Sequence, residues 1–195
     1  MCNKEAALNS HGVCEDCKEL IVPAPSFMLS EHVDDSAAGI KYNDAAADMV
    51  HRFKYYGCQY LGRNLASFMT LPKQWQADVI IPVPLHTQRL KERGYNQSLI
   101  LAKELGRCCG IPVKDDLLKR IRNTQMQSMT SREERHANVK DAFRASKRCQ
   151  GLSIILVDDV ITSGSTAEEC ARALKAAGAY KVYVIAACYA GGQES

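Results

Sequence analysis

The chain has 195 residues, 46% of them hydrophobic, and a formal net charge of +3, which suits one domain of ordinary size with a buried core. Its apolar runs are shorter than the roughly 20 residues that span a bilayer, and its N-terminus lacks the layout of a secretory signal. We therefore expect a cytoplasmic protein without membrane insertion, whose nine cysteines are core thiols or metal ligands rather than disulfides.

Charge is distributed unevenly along the chain. Residues 1–50 contain three Lys or Arg residues and nine Asp or Glu residues, whereas residues 86–148 contain fifteen and seven. The middle of the chain is therefore expected to attract an anion, and a polyphosphate ligand and a nucleic acid both fit that expectation. A solvated basic face has the same composition, so charge alone does not separate these alternatives.

Residues 1–22 are predicted to form a small Cys-rich module and residues 40–195 a larger domain, with the two prolines of residues 21–27 marking a linker. A closed structural zinc site needs four ligands, and the module contains four side chains of suitable type. These candidate ligands are Cys2, His11, Cys14 and Cys17. A frayed tail of free thiols is the alternative.

Periodicity predicts four helices and three strands. The helices cover about 44–56, 61–70, 96–109 and 166–177, and the strands cover 77–84, 153–158 and 181–190. Residues 120–138 are polar and weakly periodic, so we expect a mobile loop there, with a helical turn near its end. Alternating strands and helices are typical of an α/β fold, which predicts a central, mostly parallel sheet flanked by helices.

The sequence also predicts several helix ends and exposed positions. Asn43 can cap the first helix, and Thr166 with Glu169 can form a capping box at the last one. His51 and Lys54 are assigned to the polar face of the first helix and expected in solvent, although Lys54 would be able to reach a phosphate or a nucleic-acid strand.

The most informative stretch is ILVDDVITSGST, residues 155–166. A buried parallel strand ends in Asp158 and Asp159, and ligands of such sheets bind beyond the carboxyl ends of the strands. Burying either carboxylate without a partner is costly, so both should face the cleft. The hydroxyl-rich turn that follows leads into a helix N-terminus, which favours a phosphate. A sugar phosphate satisfies both halves, with its phosphate in the turn and its hydroxyls on the carboxylates.

This stretch resembles the signature of the phosphoribosyltransferases that bind phosphoribosyl pyrophosphate (PRPP). The resemblance implies that Asp158 and Asp159 hold the 2- and 3-hydroxyls of the ribose. It also implies a loop that holds the 5-phosphate through Thr162, Ser163, Gly164, Ser165 and Thr166. Glu168 and Glu169 share the first helical turn with this phosphate, so their side chains must point away from it.

Two further segments, PVPLHTQRLKERGYNQS (82–98) and RNTQMQSMTSREERHANVKDAF (122–143), together with the Cys module resemble ComF/GntX-type proteins over nearly the full length. The resemblance implies a type I phosphoribosyltransferase-like fold in which the loop 84–97 binds pyrophosphate. Its candidate contacts are His86, Arg89, Arg93, Gly94 and Asn96. The segment 120–138 is then a flexible hood that closes over PRPP. Its candidate contacts are Arg122, Thr124, Gln127, Arg132 and Arg135.

The implied reaction transfers the phosphoribosyl group to an unidentified nitrogen acceptor and releases pyrophosphate. Mg²⁺ bound with PRPP would neutralise the leaving group together with Arg89 and Arg93. Asp158 and Asp159 complete the set of candidate catalytic residues, with Asp159 as the general base. Tyr189, after the last strand, is placed to stack on the acceptor.

A second interpretation is a non-catalytic protein of the same fold that acts in DNA uptake or handles single-stranded DNA, because ComF-type proteins are associated with competence. A homodimer is considered under both interpretations. ComF-type proteins commonly carry two CxxC pairs near the N-terminus, whereas here Cys2 stands alone where a second pair is expected. A start codon placed too late is therefore the alternative to a zinc site completed by His11. No G-x-G-x-x-G follows a strand, which argues against a dinucleotide site.

Overall fold

The computed structural model of the protein describes residues 9, 11–29, 31–123 and 132–191. Its strands are β1 (Asp35–Lys41), β2 (Val79–Pro82), β3 (Leu118–Arg120), β4 (Phe143–Ala145), β5 (Ser153–Ile161) and β6 (Lys181–Tyr189). Its α-helices are α1 (Glu15–Lys18), α2 (Asp44–Tyr55), α3 (Leu61–Ala66), α4 (Thr87–Arg93), α5 (Gln97–Cys109), α6 (Arg132–Val139) and α7 (Ser165–Ala176). A short 3-10 helix covers Lys147–Cys149.

Four strands form a parallel sheet in the order β1-β6-β5-β2. The central strands β5 and β6 carry the continuous apolar runs, because a strand covered on both faces buries every side chain. Strands β3 and β4 form a separate antiparallel pair. The predicted α/β fold with a mostly parallel sheet is therefore confirmed.

Helices cover both faces of this sheet. Helices α2, α3 and α5 pack on one face, where Phe53 and Leu101 are fully buried. Helix α7 and the β3–β4 pair pack on the other face, around Leu156 and Leu174. Within the part of the chain that the structure describes, none of the helices combines the length and apolar character that a bilayer crossing requires.

Two helices begin at an asparagine cap, and one of these caps, Asn43, was predicted. The side chain of Asn43 accepts a hydrogen bond of 3.0 Å from the Ala46 N–H at the start of α2. The side chain of Asn96 accepts one of 3.1 Å from the Ser98 N–H at the start of α5. Both bonds satisfy amides of the first turn that have no partner inside the helix.

The start of α7 differs from the prediction. The residue before the helix is Gly164, with a φ of 80°, and it supplies no side-chain cap. Glu169 is engaged elsewhere, since its carboxylate accepts hydrogen bonds from the Asp141 N–H at 2.6 Å and from the Arg172 guanidinium at 2.6 and 2.9 Å. The predicted capping box of Thr166 and Glu169 is therefore wrong.

Strands β1, β3 and β4 and helices α1 and α4 were not predicted. Strand β1 contains few β-branched or aromatic residues and so gives a weak strand pattern. Helix α4 occupies most of the segment 84–97, which was predicted to be a loop. It begins after His86, whose Nδ1 accepts a hydrogen bond of 3.3 Å from the Gln88 N–H, and ends at Gly94, whose φ of 79° suits a left-handed cap.

Irregular segments pair with both edges of the sheet. Residues 22–24, part of the predicted linker, run antiparallel to β1, and the Lys41 N–H donates to the Val22 carbonyl at 2.7 Å. At the other edge, Ile80 of β2 makes two backbone hydrogen bonds of 2.9 Å with residues 112–114. Backbone groups on the outer sides of β1 and β2 are thus partly satisfied within the chain.

The side chain of Phe53 anchors α2 to the sheet, so we expect Phe53→Ala to lower the free energy of unfolding by roughly 3–5 kcal/mol. The ring is fully buried, so its removal leaves a cavity that the surrounding side chains cannot fill. Urea unfolding followed by far-UV circular dichroism measures the change. Tyr56→Ala, three residues on and 69% exposed, is the control and should change stability by less than about 0.5 kcal/mol. Equal losses in both variants would contradict this view of the core.

Candidate functional site

The carboxyl end of the parallel sheet brings the predicted ligand-binding residues together. The end of β5 carries Asp158 and Asp159, and the turn that follows it is the predicted phosphate loop, Thr162–Thr166. The neighbouring strand β2 leads into α4, which carries Arg89 and Arg93. Since parallel neighbours end at the same edge of the sheet, these groups border one crevice.

Asp158 is held by neutral donors. The Ser98 hydroxyl donates to its Oδ1 at 3.0 Å, and the backbone N–H of Asp159 donates to the same atom at 2.8 Å. Burial and the adjacent charge of Asp159 raise the pKa of Asp158 to about 7, and the hydrogen bonds and Lys54 only partly oppose that rise. Asp158 can therefore gain or lose a proton near neutral pH.

Asp159 is held by a charge instead. The Lys54 ammonium lies 2.9 Å from its Oδ1, and the two side chains are only 20% and 11% exposed. Burial by itself lowers the pKa of Lys54, but the attraction of Asp159, the hydrogen bond to it and the charge of Asp158 together raise that pKa. Lys54 is therefore a largely buried cation, and its expected position in solvent is wrong.

The sequence contains a pattern that identifies the position of Lys54. Ala46, Val50 and Lys54 are spaced by four residues, and the first two are buried. Residues with this spacing lie on one face of a helix, so Lys54 extends the inner stripe of α2. The charge of Lys54 favours the polar face of α2, whereas its spacing from Ala46 and Val50 places it on the face towards the sheet.

The predicted phosphate loop turns sharply into α7. Gly164 has a left-handed backbone with a φ of 80°, and the hydroxyls of Ser163 and Ser165 are hydrogen-bonded at 2.8 Å. Ser165 is buried at the first position of the helix, while Thr162 is exposed. Hydroxyls and first-turn amides therefore face the same turn, which is the arrangement that accepts an anion.

Acidic and apolar neighbours border this loop. Glu169 points away towards Arg172, as a bound phosphate would require. Glu168 is buried and lies nearer to the loop than Glu169 does, since its Oε1 would be 3.6 Å from a Cβ added at Gly164. The same added Cβ would be only 2.5 Å from the Leu29 side chain. Glycine is thus required at position 164 both by its backbone angle and by this close packing.

Arg93, at the end of α4, is held by contacts with α5 and α2. Its guanidinium donates to the Gln97 side-chain oxygen at 3.1 Å and to the Tyr55 hydroxyl at 3.3 Å. It also lies over the Tyr55 ring, 5.1 Å from the centroid. These contacts use a few of the five guanidinium N–H groups and hold the planar fork in a defined orientation.

Two further arginines lie close to this group. Burial and the charge of Arg93 lower the pKa of Arg89. Burial and the charge of Arg89 likewise lower the pKa of Arg120, and the nearby Cys170 and Asp158 partly oppose this lowering. Arg120, at the end of β3, was not predicted, because only the β3–β4 pairing brings it to the crevice. Crowded like charges of this kind favour the binding of an anion.

Other residues of the predicted pyrophosphate loop stabilise helix ends. His86 caps the start of α4, and Gly94 caps its end. Asn96 caps α5, and its side-chain amide donates to the Val83 carbonyl at 3.0 Å. These contacts account for the residue types without a ligand, so their roles in binding pyrophosphate stay predictions.

The hood predictions fall largely outside the described residues. Thr124 and Gln127 lie outside them, and so do the side chains of Arg132 and Arg135, whose backbone belongs to α6. Arg122 is described and donates to the Lys140 carbonyl at 2.6 Å. This bond ties the beginning of the segment to its end and leaves contact with a ligand a prediction.

Tyr189 lies at the carboxyl end of β6, as predicted, but its ring already has a partner. The ring of Phe27 stacks on it, with centroids 4.1 Å apart and planes 10° from parallel. The Phe27 carbonyl accepts a hydrogen bond of 2.6 Å from the Ser36 hydroxyl, which fixes that segment. Stacking of an acceptor on Tyr189 therefore stays a prediction and would have to use space that Phe27 leaves.

The described residues of the predicted Cys-rich module contact α3, where the Asn64 side-chain amide donates to the His11 and Gly12 carbonyls at 2.7 and 3.1 Å. Cys14 and Cys17 are buried with Val13. The ring of His11 stacks on Phe68 at 4.7 Å, and its Nδ1 is 2.9 Å from the Ser67 hydroxyl. Considering the described positions alone, no three His, Cys, Asp or Glu side chains are grouped to hold a metal. Cys2 lies outside those positions, so the zinc site stays a prediction.

Comparison with known proteins identifies the domain. The family described as "Phosphoribosyl transferase domain" matches residues 90–195, just over half of the chain. These residues include the end of α4 with Arg93, the two acids Asp158 and Asp159, and the predicted phosphate loop.

Curated relatives extend the match. Competence protein F of Haemophilus influenzae is 32% identical over 154 residues, covering 73% of this chain and 67% of that protein. DNA utilization protein YhgH of Escherichia coli K12 is 39% identical over 111 residues, covering 57% and 49%. Competence protein ComFC of Bacillus subtilis is 28% identical over 168 residues, covering 84% and 66%. The chain thus spans about half to two thirds of the length of these relatives.

Similar solved structures include glutamine PRPP amidotransferase from B. subtilis, at a TM-score of 0.43 and 24% identity over 66% of this chain and 25% of that one. Another is the adenine phosphoribosyltransferase of Giardia lamblia, at a TM-score of 0.41 and 15% identity over 89% and 96%. The family match and the identity to competence protein F together give the assignment: the chain belongs to the ComF-type phosphoribosyltransferase-fold family.

Proposed function

We propose that the protein binds PRPP and transfers its phosphoribosyl group to a nitrogen acceptor, with release of pyrophosphate. The observation that carries this proposal is the convergence of Asp158, Asp159 and the start of α7 on one crevice that arginines border. A phosphorylated pentose with a pyrophosphate group complements this arrangement at both ends, because it offers hydroxyl donors between two anionic groups.

Each part of the crevice suits one part of this ligand. The carboxylates of Asp158 and Asp159 would accept hydrogen bonds from the ribose hydroxyls. The loop Thr162–Thr166 would take the 5-phosphate with its hydroxyls and first-turn amides. Arg89 and Arg93 would take the pyrophosphate oxygens, for which guanidinium forks are well suited.

In the proposed transfer, the bond between the ribose C1 and the pyrophosphate oxygen breaks, and both electrons leave with pyrophosphate. The lone pair of the acceptor nitrogen forms the new bond to C1, and the nitrogen then loses a proton to a carboxylate or to water. Arginines placed beforehand at the leaving group stabilise the negative charge that grows there. Mg²⁺, bound mainly through phosphate oxygens of the substrate, would supply further positive charge.

Asp158→Ala should weaken Mg²⁺-dependent PRPP binding about ten-fold or more, since a hydrogen bond to a charged group contributes roughly 1.5–3 kcal/mol. Isothermal titration calorimetry with and without Mg²⁺ measures the affinity. Asp115→Ala removes an exposed carboxylate of the same type and should bind as the native chain does. Absence of any heat or thermal shift with native protein and Mg-PRPP would rule out the proposed ligand.

A second candidate function is the binding of single-stranded DNA, and an exposed group of aromatic residues favours it. Tyr55, Tyr56 and Tyr60, here called the tyrosine patch, are 55%, 69% and 63% exposed. Arg52 donates to the Tyr60 hydroxyl at 3.3 Å, and the His51 ring lies 5.0 and 5.5 Å from the rings of Tyr55 and Tyr56. Exposed rings beside basic groups are suited to stacked bases and a phosphate backbone.

The tyrosine patch is also close to the crevice. Tyr55 contacts Arg93, and Lys54 precedes it on α2. Two relatives carry competence in their names and a third is called a DNA utilization protein. These names and the patch support a role with single-stranded DNA, beside or instead of phosphoribosyl transfer.

If the tyrosine patch stacks on bases, Tyr56→Ala and Tyr60→Ala should each weaken binding of a fluorescent oligothymidine by roughly 5- to 150-fold, because a stacked base contributes about 1–3 kcal/mol. Fluorescence anisotropy at low and moderate salt gives the affinities. Tyr180→Ala is the matched control, because Tyr180 is 67% exposed but lies at the amino end of β6. Binding that survives Asp158→Ala would separate this surface from the crevice, whereas equal loss in Tyr180→Ala would exclude the patch.

A further inference from the structure

Two adjacent carboxylates form an unfavourable lining for a site that receives phosphates. Each phosphate group of a PRPP-like ligand is anionic, and the crevice offers it two neighbouring acids at the end of β5. Repulsion between these charges would weaken binding unless a cation of the protein offsets it. The structure contains such a cation in direct contact with one acid, namely Lys54 at 2.9 Å from Asp159.

We propose that Lys54 is a positioning residue that holds Asp159 as a paired, oriented anion, so that Asp158 is the member of the pair that exchanges a proton. This inference rests on the proposed function, because it concerns how the same crevice accepts a phosphorylated sugar. It also reassigns the expected general base from Asp159 to Asp158.

The position of Lys54 is fixed by the packing of α2. Phe53, which precedes it, is fully buried, and its carbonyl accepts a hydrogen bond from the Tyr95 hydroxyl. Val50, one turn earlier, is also buried against the sheet. The Lys54 side chain therefore enters the protein between α2 and the sheet. Its ammonium reaches the end of β5, and the packing limits the other positions that it can take.

The two acids differ in their partners. Asp159 contacts a full positive charge, and the ion pair stabilises its ionised form. Asp158 contacts the neutral hydroxyl of Ser98 and a backbone N–H. When the pair holds a single proton, that proton therefore belongs on Asp158. Its pKa, raised to about 7, agrees with this assignment.

Neighbouring elements place further charged and titratable groups around the pair. From α4 the group is Arg93, and from the end of β3 it is Arg120. From α7 it is Cys170 and from β6 it is Cys188, two buried thiols whose pKa values are raised chiefly by burial and so stay neutral near pH 7. Lys54, by contrast, is a cation in direct contact with Asp159, at 2.9 Å.

A double-mutant cycle at Lys54 and Asp159 tests the inference. Lys54→Met leaves the Asp159 carboxylate without its cation, so we expect PRPP affinity to fall about ten-fold or more near pH 7.5 and the loss to be smaller at the acid end of the range. Lys54→Met combined with Asp159→Asn removes both charges and should bind PRPP as Asp159→Asn alone does, because the amide has no charge for Lys54 to offset. Lys54→Arg should retain an intermediate affinity. Calorimetry from pH 5.5 to 8.5 provides the profile.

Lys103→Met is the matched control, because Lys103 is exposed on α5, and it should leave affinity and pH profile unchanged. If Lys54→Met binds PRPP as tightly as the native chain, the inference is wrong. It is equally wrong if the double variant binds PRPP more weakly than Asp159→Asn alone, since Lys54 would then act by touching the ligand itself.

Unfolding experiments without ligand keep the test independent of the proposed function. Loss of the ammonium leaves the Asp159 carboxylate without its cation, and this costs stability only while the carboxylate is charged. The deficit in stability of Lys54→Met should therefore be larger at about pH 8 than at about pH 4. The variant that also carries Asp159→Asn should lack this difference. Failure of native protein to bind PRPP would end the proposed function, and a flat deficit in this second experiment would end the inference about Lys54.

Discussion

The structure of the crevice depends on the cost of placing two carboxylates side by side at the end of a buried strand. A charged carboxylate there is costly without partners, because burial removes water that would stabilise the charge. The partners come from different helices: Lys54 from α2 and Ser98 from α5. The packing of both helices on one face of the sheet is thus coupled to the chemistry at its edge.

Much of the fold follows from local patterns. The apolar run that ends in Asp158 and Asp159 identifies a central parallel strand, and the glycine and hydroxyl residues after it identify an anion-binding turn. Asn43 marks the start of α2 by the chemistry of its own side chain. These features depend on near neighbours in the chain, so the sequence alone is sufficient to predict them.

Other features depend on contacts between distant segments. Arg120 reaches the crevice through the pairing of β3 with β4, and Lys54 reaches Asp159 through the packing of a helix on a sheet. Glu169 fits a capping box by its spacing, but its carboxylate accepts from the distant Asp141 N–H and from Arg172 in the same helix instead. Local spacing could not decide between such competing partners, which is why these predictions were absent or wrong.

The pairing of irregular segments with both sheet edges also limits how the protein can associate. A second chain that extended the sheet at β1 would have to displace residues 22–24, and one that extended it at β2 would have to displace residues 112–114. Addition of a strand in either direction therefore carries an opening cost before any new hydrogen bond forms. Self-association through helix faces or loops does not carry that cost, so a dimer of this chain would be expected to keep its sheets separate.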